Sequence, residues 1–410
     1  MPPSVTGCAR CSRVRAGYHA HPPPHGTGAT TYNGAVALRV GIDARKLTDF
    51  GIGTYLEGLV SRLAVRRDLE LLLLVREEHA GRARRLAPDA TIRPVSAGGY
   101  TARELYEIGL AFRGHGLDVI HIPHYVIPAW LPAPAVVTVH DIIHLLYPPR
   151  DRRPGALLYV RHMMRRTLRR ARRVVTVSRT TRNDLVSIFG GRADRIDVIP
   201  NGVDGAFFER PPRETLERLR ERYGLRPPLV LVVANDKPHK NAVTALRAFH
   251  RAVRIHGIPG QLVFVGGFPP DGPLAVTARR MGLGGRVVFT GRVPREDLLG
   301  LYHIASVLLH VALYEGFGLP ILEGMAAGVP VITSNLGAMR ELGEGPARLV
   351  EPLDVFGIAE TIERVLVDDP LRRRMIEAGR KRARELSWER AAEAMVAVFR
   401  KAAGRAAGEG

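Results

Sequence analysis

Apolar positions along the chain fall into short runs separated by amphipathic stretches. From Leu38 onward the runs are Leu38 to Ile42, Leu71 to Val75, Val119 to Ile122, Val136 to Val139, Val174 to Val177 and Ile196 to Ile199. A second series follows with Leu229 to Val233, Leu262 to Val265, Val287 to Phe289, Val307 to Leu309 and Val331 to Thr333. Runs this short and continuous fit strands buried on both faces, and the helical spacing between several of them supplies the covering layers. Strand and helix in alternation predict parallel, doubly wound α/β sheets, which bind ligands at the carboxyl ends of their strands.

Between the two series the chain is charged, carries Pro211-Pro212 and Pro227-Pro228, and has no strand pattern. The predicted organisation is therefore a tail over 1–36, a first α/β domain over 37–205, a linker over 206–228 and a second α/β domain over 229–386. A helix and tail over 387–410 are expected to return to the first domain. A length of 410 residues allows two or three domains with full cores. Hydrophobic residues at 46% and a mean hydropathy near zero exclude a mostly disordered or collagen-like chain.

Residues 1–36 hold Pro22-Pro23-Pro24, scattered glycine and no acid, which predicts a disordered tail. Cys8 and Cys11 with His21 and His25 offer four zinc-type ligands on paper. The gap between the pairs is shorter than a finger linker, and no apolar residues stand behind them, so no metal is expected there. Translation starting near Val36, just before the first strand, is the simpler expectation. The body of the chain lacks cysteine, which fits a reducing cytosol and removes any thiol nucleophile. No apolar run reaches membrane-spanning length and no secretory h-region is present, so a cytoplasmic protein is expected.

The charge is the unusual quantity, with sixty basic residues against forty acidic ones for a net +20. Only five of the sixty are lysine: Lys46, Lys237, Lys240, Lys381 and Lys401. Much of the excess sits in 150–173, which has ten arginines and one acid, Asp151. Leu157, Val160, Met164, Leu168 and Ala171 repeat there on one helical face. A basic amphipathic helix of this kind is either an ordinary surface helix or a site of attraction to anionic lipid headgroups on the inner face of the membrane. Nucleic acid is not expected as a partner, because no basic patch is interleaved with stacking aromatics.

Candidate chemistry concentrates at Leu309 to Val331. A strand ends, the turn Gly316-Phe317-Gly318 follows, and a helix opens at Leu319, so the amides of Phe317, Gly318 and Leu319 face outward at a helix start that favours anionic or oxygen-rich groups. Glu315 precedes the turn and Glu323 lies within the helix, placing two carboxylates where one polyol ligand can donate hydroxyl hydrogens to both. In the first half, Gly51 and Gly53 read as a tight loop entering a helix, with Thr54 and Glu57 as a capping box. His140 and Asp141 end a buried strand at the ligand-binding edge.

Glu315-x7-Glu323 within Glu-Gly-Phe-Gly-Leu-Pro resembles the motif of the retaining nucleotide-sugar glycosyltransferases of the "glycosyl transferases group 1" family, including its mannosyltransferases. Further matching segments are Val177-Ser178, Ile199 to Asp204, Lys237-Pro238-His239-Lys240-Asn241 and Leu386-Ser387-Trp388-Glu389. The agreement in order and spacing runs from about residue 38 to 402. The resemblance implies the GT-B architecture, two Rossmann-like domains facing each other across a cleft. It implies hexose transfer from a nucleoside diphosphate sugar to a hydroxyl of a glycan or lipid-linked acceptor. The first domain lies on the acceptor side and the second holds the donor.

Residue by residue, the resemblance assigns Glu323 to the ribose hydroxyls and Glu315 to the transferred sugar. The amides around Gly316, Phe317, Gly318 and Leu319 meet the sugar and pyrophosphate, and Lys240 meets the phosphates. Lys237 is the nearest cation where many members carry an arginine. Gly51 and Gly53 close over the diphosphate from the other side, and His140 supports the sugar and its developing oxocarbenium, with Asp141 orienting it. His124, His144 and His310 have no comparable support. No Asp-x-Asp occurs, so no metal and no cofactor beyond the donor is expected. A nucleotide-sugar-binding or epimerising relative on the same scaffold is the alternative, since fold alone does not fix reaction.

Overall fold

A computed structural model describes residues 31–32, 35–96, 104–148 and 155–405. The tail expectation for 1–36 falls outside them, apart from a two-residue ribbon pairing Thr31 with Val36 and Tyr32 with Ala35.

The first domain is a seven-stranded parallel sheet of β1 (Leu38–Asp43), β2 (Leu69–Arg76), β3 (Thr91–Val95), β4 (Val119–Ile122), β5 (Ala135–Val139), β6 (Arg173–Thr176) and β7 (Ile196–Val198), ordered β3-β2-β1-β4-β5-β6-β7. The second is a six-stranded parallel sheet of β8 (Leu229–Asn235), β9 (Gln261–Gly267), β10 (Val287–Gly291), β11 (Val307–His310), β12 (Val331–Ser334) and β13 (Arg348–Val350), ordered β10-β9-β8-β11-β12-β13. In both, the order reverses beside the first strand, so each sheet has a crevice at the carboxyl ends of its central strands. Residues of β1, β4, β5 and β11, and the first four of β8, are almost wholly buried, which explains their unbroken apolar runs.

The segment 206–228 is not a linker. It forms a 3-10 turn over Gly205–Phe208 and the helix Arg213–Tyr223, and Phe207, Leu216, Leu219 and Leu225 enter the second domain's core. A side chain at Gly300 would meet Leu219 at 2.2 Å, so the helix lies directly on the helix that carries Gly300. The helix is charged on its outer face and packs through its buried Leu216 and Leu219, with Phe207 and Leu225 flanking it. The chain crosses between domains at Val203, whose amide donates to the carbonyl of Leu386 at 3.0 Å. Beyond that crossing, the helix Trp388–Ala403 packs on α1 (Phe50–Leu63) of the first domain, with Trp388, Met395 and Phe399 in its core.

Candidate active site

The helix start predicted after Gly316 is present. α2 (Leu319–Ala327) begins after Gly318, whose φ of 101° only glycine adopts readily, and Phe317 turns its side chain into the core. Glu315 sits at the carboxyl end of β11, where Lys240 forms a close ion pair with its Oε1 and His310 Nε2 donates to the same oxygen at 3.0 Å. Burial alone would raise the Glu315 carboxyl, but Lys240 and His310 hold it well below the usual carboxylate range. Lys240 ends the turn Pro238–Lys240, just before a helix over Ala242–Ile255. Lys237, three residues earlier, points into solvent and is not part of this pair.

Glu323, five residues into α2, is the other expected carboxylate. Tyr302 donates its phenol hydrogen to Oε2 at 2.7 Å. Burial raises the Glu323 carboxyl, opposed by that hydrogen bond and by Arg295. Arg295 in turn pairs with Asp204 at 2.6 Å, beside the domain crossing.

Across the cleft, His140 follows β5 with its imidazole on the carbonyl of Pro123, Nε2 to O 3.1 Å. Burial lowers it to about 4, so near neutral pH it is an uncharged ring donating from Nε2. Asp141 does not orient it, contrary to expectation. The Asp141 carboxylate instead accepts from the amide of Ile143 at 2.9 Å, and burial raises its carboxyl. The second domain meets the first here: Tyr314 donates to Asp184 at 2.8 Å, and Glu341 accepts from the amides of Arg179 and Thr180 at 3.0 and 3.2 Å. The structure thus brings His140, Lys240, Glu315 and Gly316 together at one edge.

Gly51 and Gly53 depart from the expected loop. Helix α1 already starts at Phe50, and the amide of Gly53 donates to the carbonyl of Asp49, so both glycines lie in the first helical turn and Thr54 is no cap. A Cβ on Gly53 would stand 2.7 Å from the carbonyl oxygen of Leu47, and this tight entry lets the helix begin early.

Two histidines set aside in the sequence prove to be built in. His310 is the second partner of Glu315. His124 Nε2 contacts Asp43 at 3.2 Å, within a buried group that includes Glu104 and Arg45. Asp43, Glu104 and His124 cluster as metal ligands would, but the Arg45 guanidinium bridges Asp43 at 2.7 Å and Glu104 at 2.6 Å and already supplies the cation. No sequence spacing joins 43, 104 and 124, because three separate elements deliver them.

The "Glycosyl transferases group 1" model matches residues 216–382, and the "Glycosyltransferase Family 4" model matches 51–207. The O-antigen chain mannosyltransferase B of Escherichia coli is 30% identical over 359 residues, covering 83% of this chain and 93% of that one. The chain belongs to the glycosyl transferases group 1 family.

Another relative, the MMP alpha-(1->4)-mannosyltransferase of Mycolicibacterium hassiacum, is 33% identical over 250 residues, 60% of this chain and 58% of that one. Among solved structures, a glycosyltransferase of Rickettsia africae superposes with a TM-score of 0.72 at 16% identity, covering 90% of this chain and 99% of that one. HepE of Anabaena, solved with UDP and glucose, also gives 0.72, at 18% identity over 89% and 100%. These share the GT-B fold. In this glycosyltransferase the Glu315 to Glu323 motif sits at the carboxyl edge of the second sheet, opposite His140 of the first. Among the described residues no helix is long and apolar enough to cross a membrane.

Proposed function

We propose that the protein is a retaining hexosyltransferase that moves a hexose from a nucleoside diphosphate sugar to a hydroxyl of a glycan or glycolipid, without a metal ion. The observation that carries this reading is the part-buried Lys240–Glu315 pair facing a neutral His140 across the cleft. Glu323 receives the ribose hydroxyls and the amides opening α2 receive the sugar and pyrophosphate. Donor phosphate draws Lys240 off Glu315, which leaves the carboxylate free to accept from sugar hydroxyls. The acceptor oxygen then bonds to the anomeric carbon on the face from which the carbon–phosphate oxygen bond breaks. The departing phosphate takes the acceptor's proton. Lys240 offsets the charge growing on the diphosphate, with Lys237 within the same loop, a task another family often gives to magnesium. An uncharged His140 suits a position beside a developing oxocarbenium, which an imidazolium would oppose.

Two of the relatives are named as mannosyltransferases, and HepE was solved with UDP, so GDP-mannose and UDP-sugars are the first donors to try. The basic segment 150–173 fits an enzyme that works at an anionic membrane surface. Thermal-shift screening of GDP, UDP and ADP sugars, followed by product analysis with acceptor extract, tests the reading. Stabilisation by one donor and a glycoside of retained configuration are expected. Free nucleoside diphosphate without a glycoside product would favour the binding or epimerising alternative, and activity abolished by EDTA and restored by a divalent ion would overturn the metal-free step.

A further inference from the structure

On the first domain, well away from the cleft, lies a concavity of about 350 Å³ lined by Pro128, Leu131, Arg169, Arg170, Arg172 and Arg195 among others. It opens where β5 and β6 begin, the opposite end of the sheet from His140. No carboxylate lines it. The nearby acids are engaged elsewhere, Asp194 with Arg192 at 2.7 Å and Asp197 with Arg173 at 2.6 Å. Asp194 draws on Arg195 electrostatically, but among the described residues none of the four guanidiniums makes a hydrogen bond or salt bridge. Four such groups around one hollow repel each other until an anion enters.

The surface beside the hollow is apolar. Trp130 is 46% exposed, Tyr106 67% and Leu158 73%, with Leu110 and Tyr159 also exposed. Three of them form one neighbourhood: Trp130 lies over Gly109, where a Cβ would stand 2.3 Å from its carbonyl oxygen, on the helix that carries Tyr106 and Leu110. Arg166 donates to the carbonyl of Pro128 at 3.2 Å and is influenced by both Tyr106 and Tyr159. A free phosphate needs only the arginines. Exposed tryptophan, tyrosine and leucine next to them match the headgroup level of a bilayer, where amphipathic rings and aliphatic side chains both find their medium.

We propose that this arginine-lined hollow binds the phosphate of an anionic phospholipid headgroup, and that Trp130, Tyr106 and Leu110 enter the adjoining bilayer interface. The proposal deepens the membrane contact offered above and rests on it. Lipid is held at the amino ends of the strands and the donor at their carboxyl ends, so the two sites are separable by substitution.

Sedimentation of the full chain with phosphatidylcholine vesicles, with and without phosphatidylglycerol, is the test. Wild type is compared with the double variant Arg169→Glu/Arg195→Glu and with Trp130→Ser. Binding that requires phosphatidylglycerol, falls about tenfold or more in the double variant and weakens in Trp130→Ser is the expected result. Melting temperature and the shift given by the donor serve as controls, and both should match wild type. Binding that persists in the double variant overturns the hollow while leaving contact through the other arginines of 150–173. Absence of binding at low salt overturns both, and equal binding to neutral vesicles overturns the headgroup site. Stabilisation of wild type by millimolar inorganic phosphate, lost in the double variant, together with unchanged vesicle binding by Trp130→Ser, assigns the hollow to a free anion and overturns the lipid.

Discussion

The carbonyl oxygen of His140 in the first domain lies 2.0 Å from the point where a Cβ would stand on Gly316 in the second. The two backbones meet only because Gly316 has no side chain, so the glycine sets how closely the domains approach at the site.

Gly316→Ala should therefore hold the cleft slightly open. The clash is with backbone of the other domain, which cannot rotate aside, and overpacking of this kind costs about 1–3 kcal/mol. Activity is expected to fall by roughly tenfold to a hundredfold, while the melting temperature of each domain stays near wild type. Full activity in the alanine variant would show that the domains need not meet at this point.

Lys240→Met should cost more. The ammonium is both the charge that keeps Glu315 ionised and the cation proposed for the diphosphate, and loss of one such stabilising group costs about 10²–10³ in kcat. Burial is then opposed by His310 alone, and the Glu315 carboxyl rises. Residual donor affinity in the variant should thus weaken as pH falls toward the ordinary carboxylate range, whereas wild type keeps Glu315 charged there. Donor titration between pH 4.5 and 8 by calorimetry distinguishes the two; parallel profiles would contradict the pairing.

His121 is wholly buried among Tyr55 and Thr138, and burial lowers it to about 3 from an ordinary 6.5. In the folded chain it resists a proton that the unfolded chain accepts. Its contribution to stability is complete above about 6.5 and is lost progressively as pH falls toward the folded value. His121→Phe should flatten the fall in melting temperature between pH 6.5 and 4 relative to wild type. An unchanged slope would assign the acid sensitivity to other groups, such as His140 and His239, which are both lowered to about 4.

Tyr302→Phe removes the phenol that donates to Glu323. A buried hydrogen bond to a charged group contributes about 1.5–3 kcal/mol. If Glu323 binds the ribose, the effect should appear as a KM for donor raised at least tenfold, with kcat within a factor of about two. A change confined to kcat would place Glu323 nearer the reacting carbon.

Most strands legible in the sequence are buried on both faces, and the edge strands Val287–Gly291 and Ile196–Val198 show through their own short apolar runs. Thr91–Val95 and Arg348–Val350 escaped notice because each is an edge strand with half its residues outward and Arg93, Pro94 or Arg348 interrupting the apolar run. The helix 213–223 leaves little trace in the sequence, because only Leu216 and Leu219 are buried in it, a pair too short for a periodic signal. At the site, Glu315, Glu323 and Lys240 could be found because local motif carries them. The partners His310, Tyr302 and Pro123 could not, since each acquires its meaning from a neighbour that folding supplies. His310 lies five residues from Glu315, a spacing set by the turn out of β11 and by no regular element.

Trp388 and the helix it opens fill the core of the first domain, and a Cβ on Gly58 would strike the Trp388 ring at 2.2 Å. All of the second domain lies between these two parts in sequence. During synthesis the first domain to emerge is thus the last to be completed, and it waits with an open apolar groove along α1 until some residue near 403 has left the ribosome. A nascent chain of this protein therefore keeps the apolar face of α1 uncovered throughout the making of its second domain.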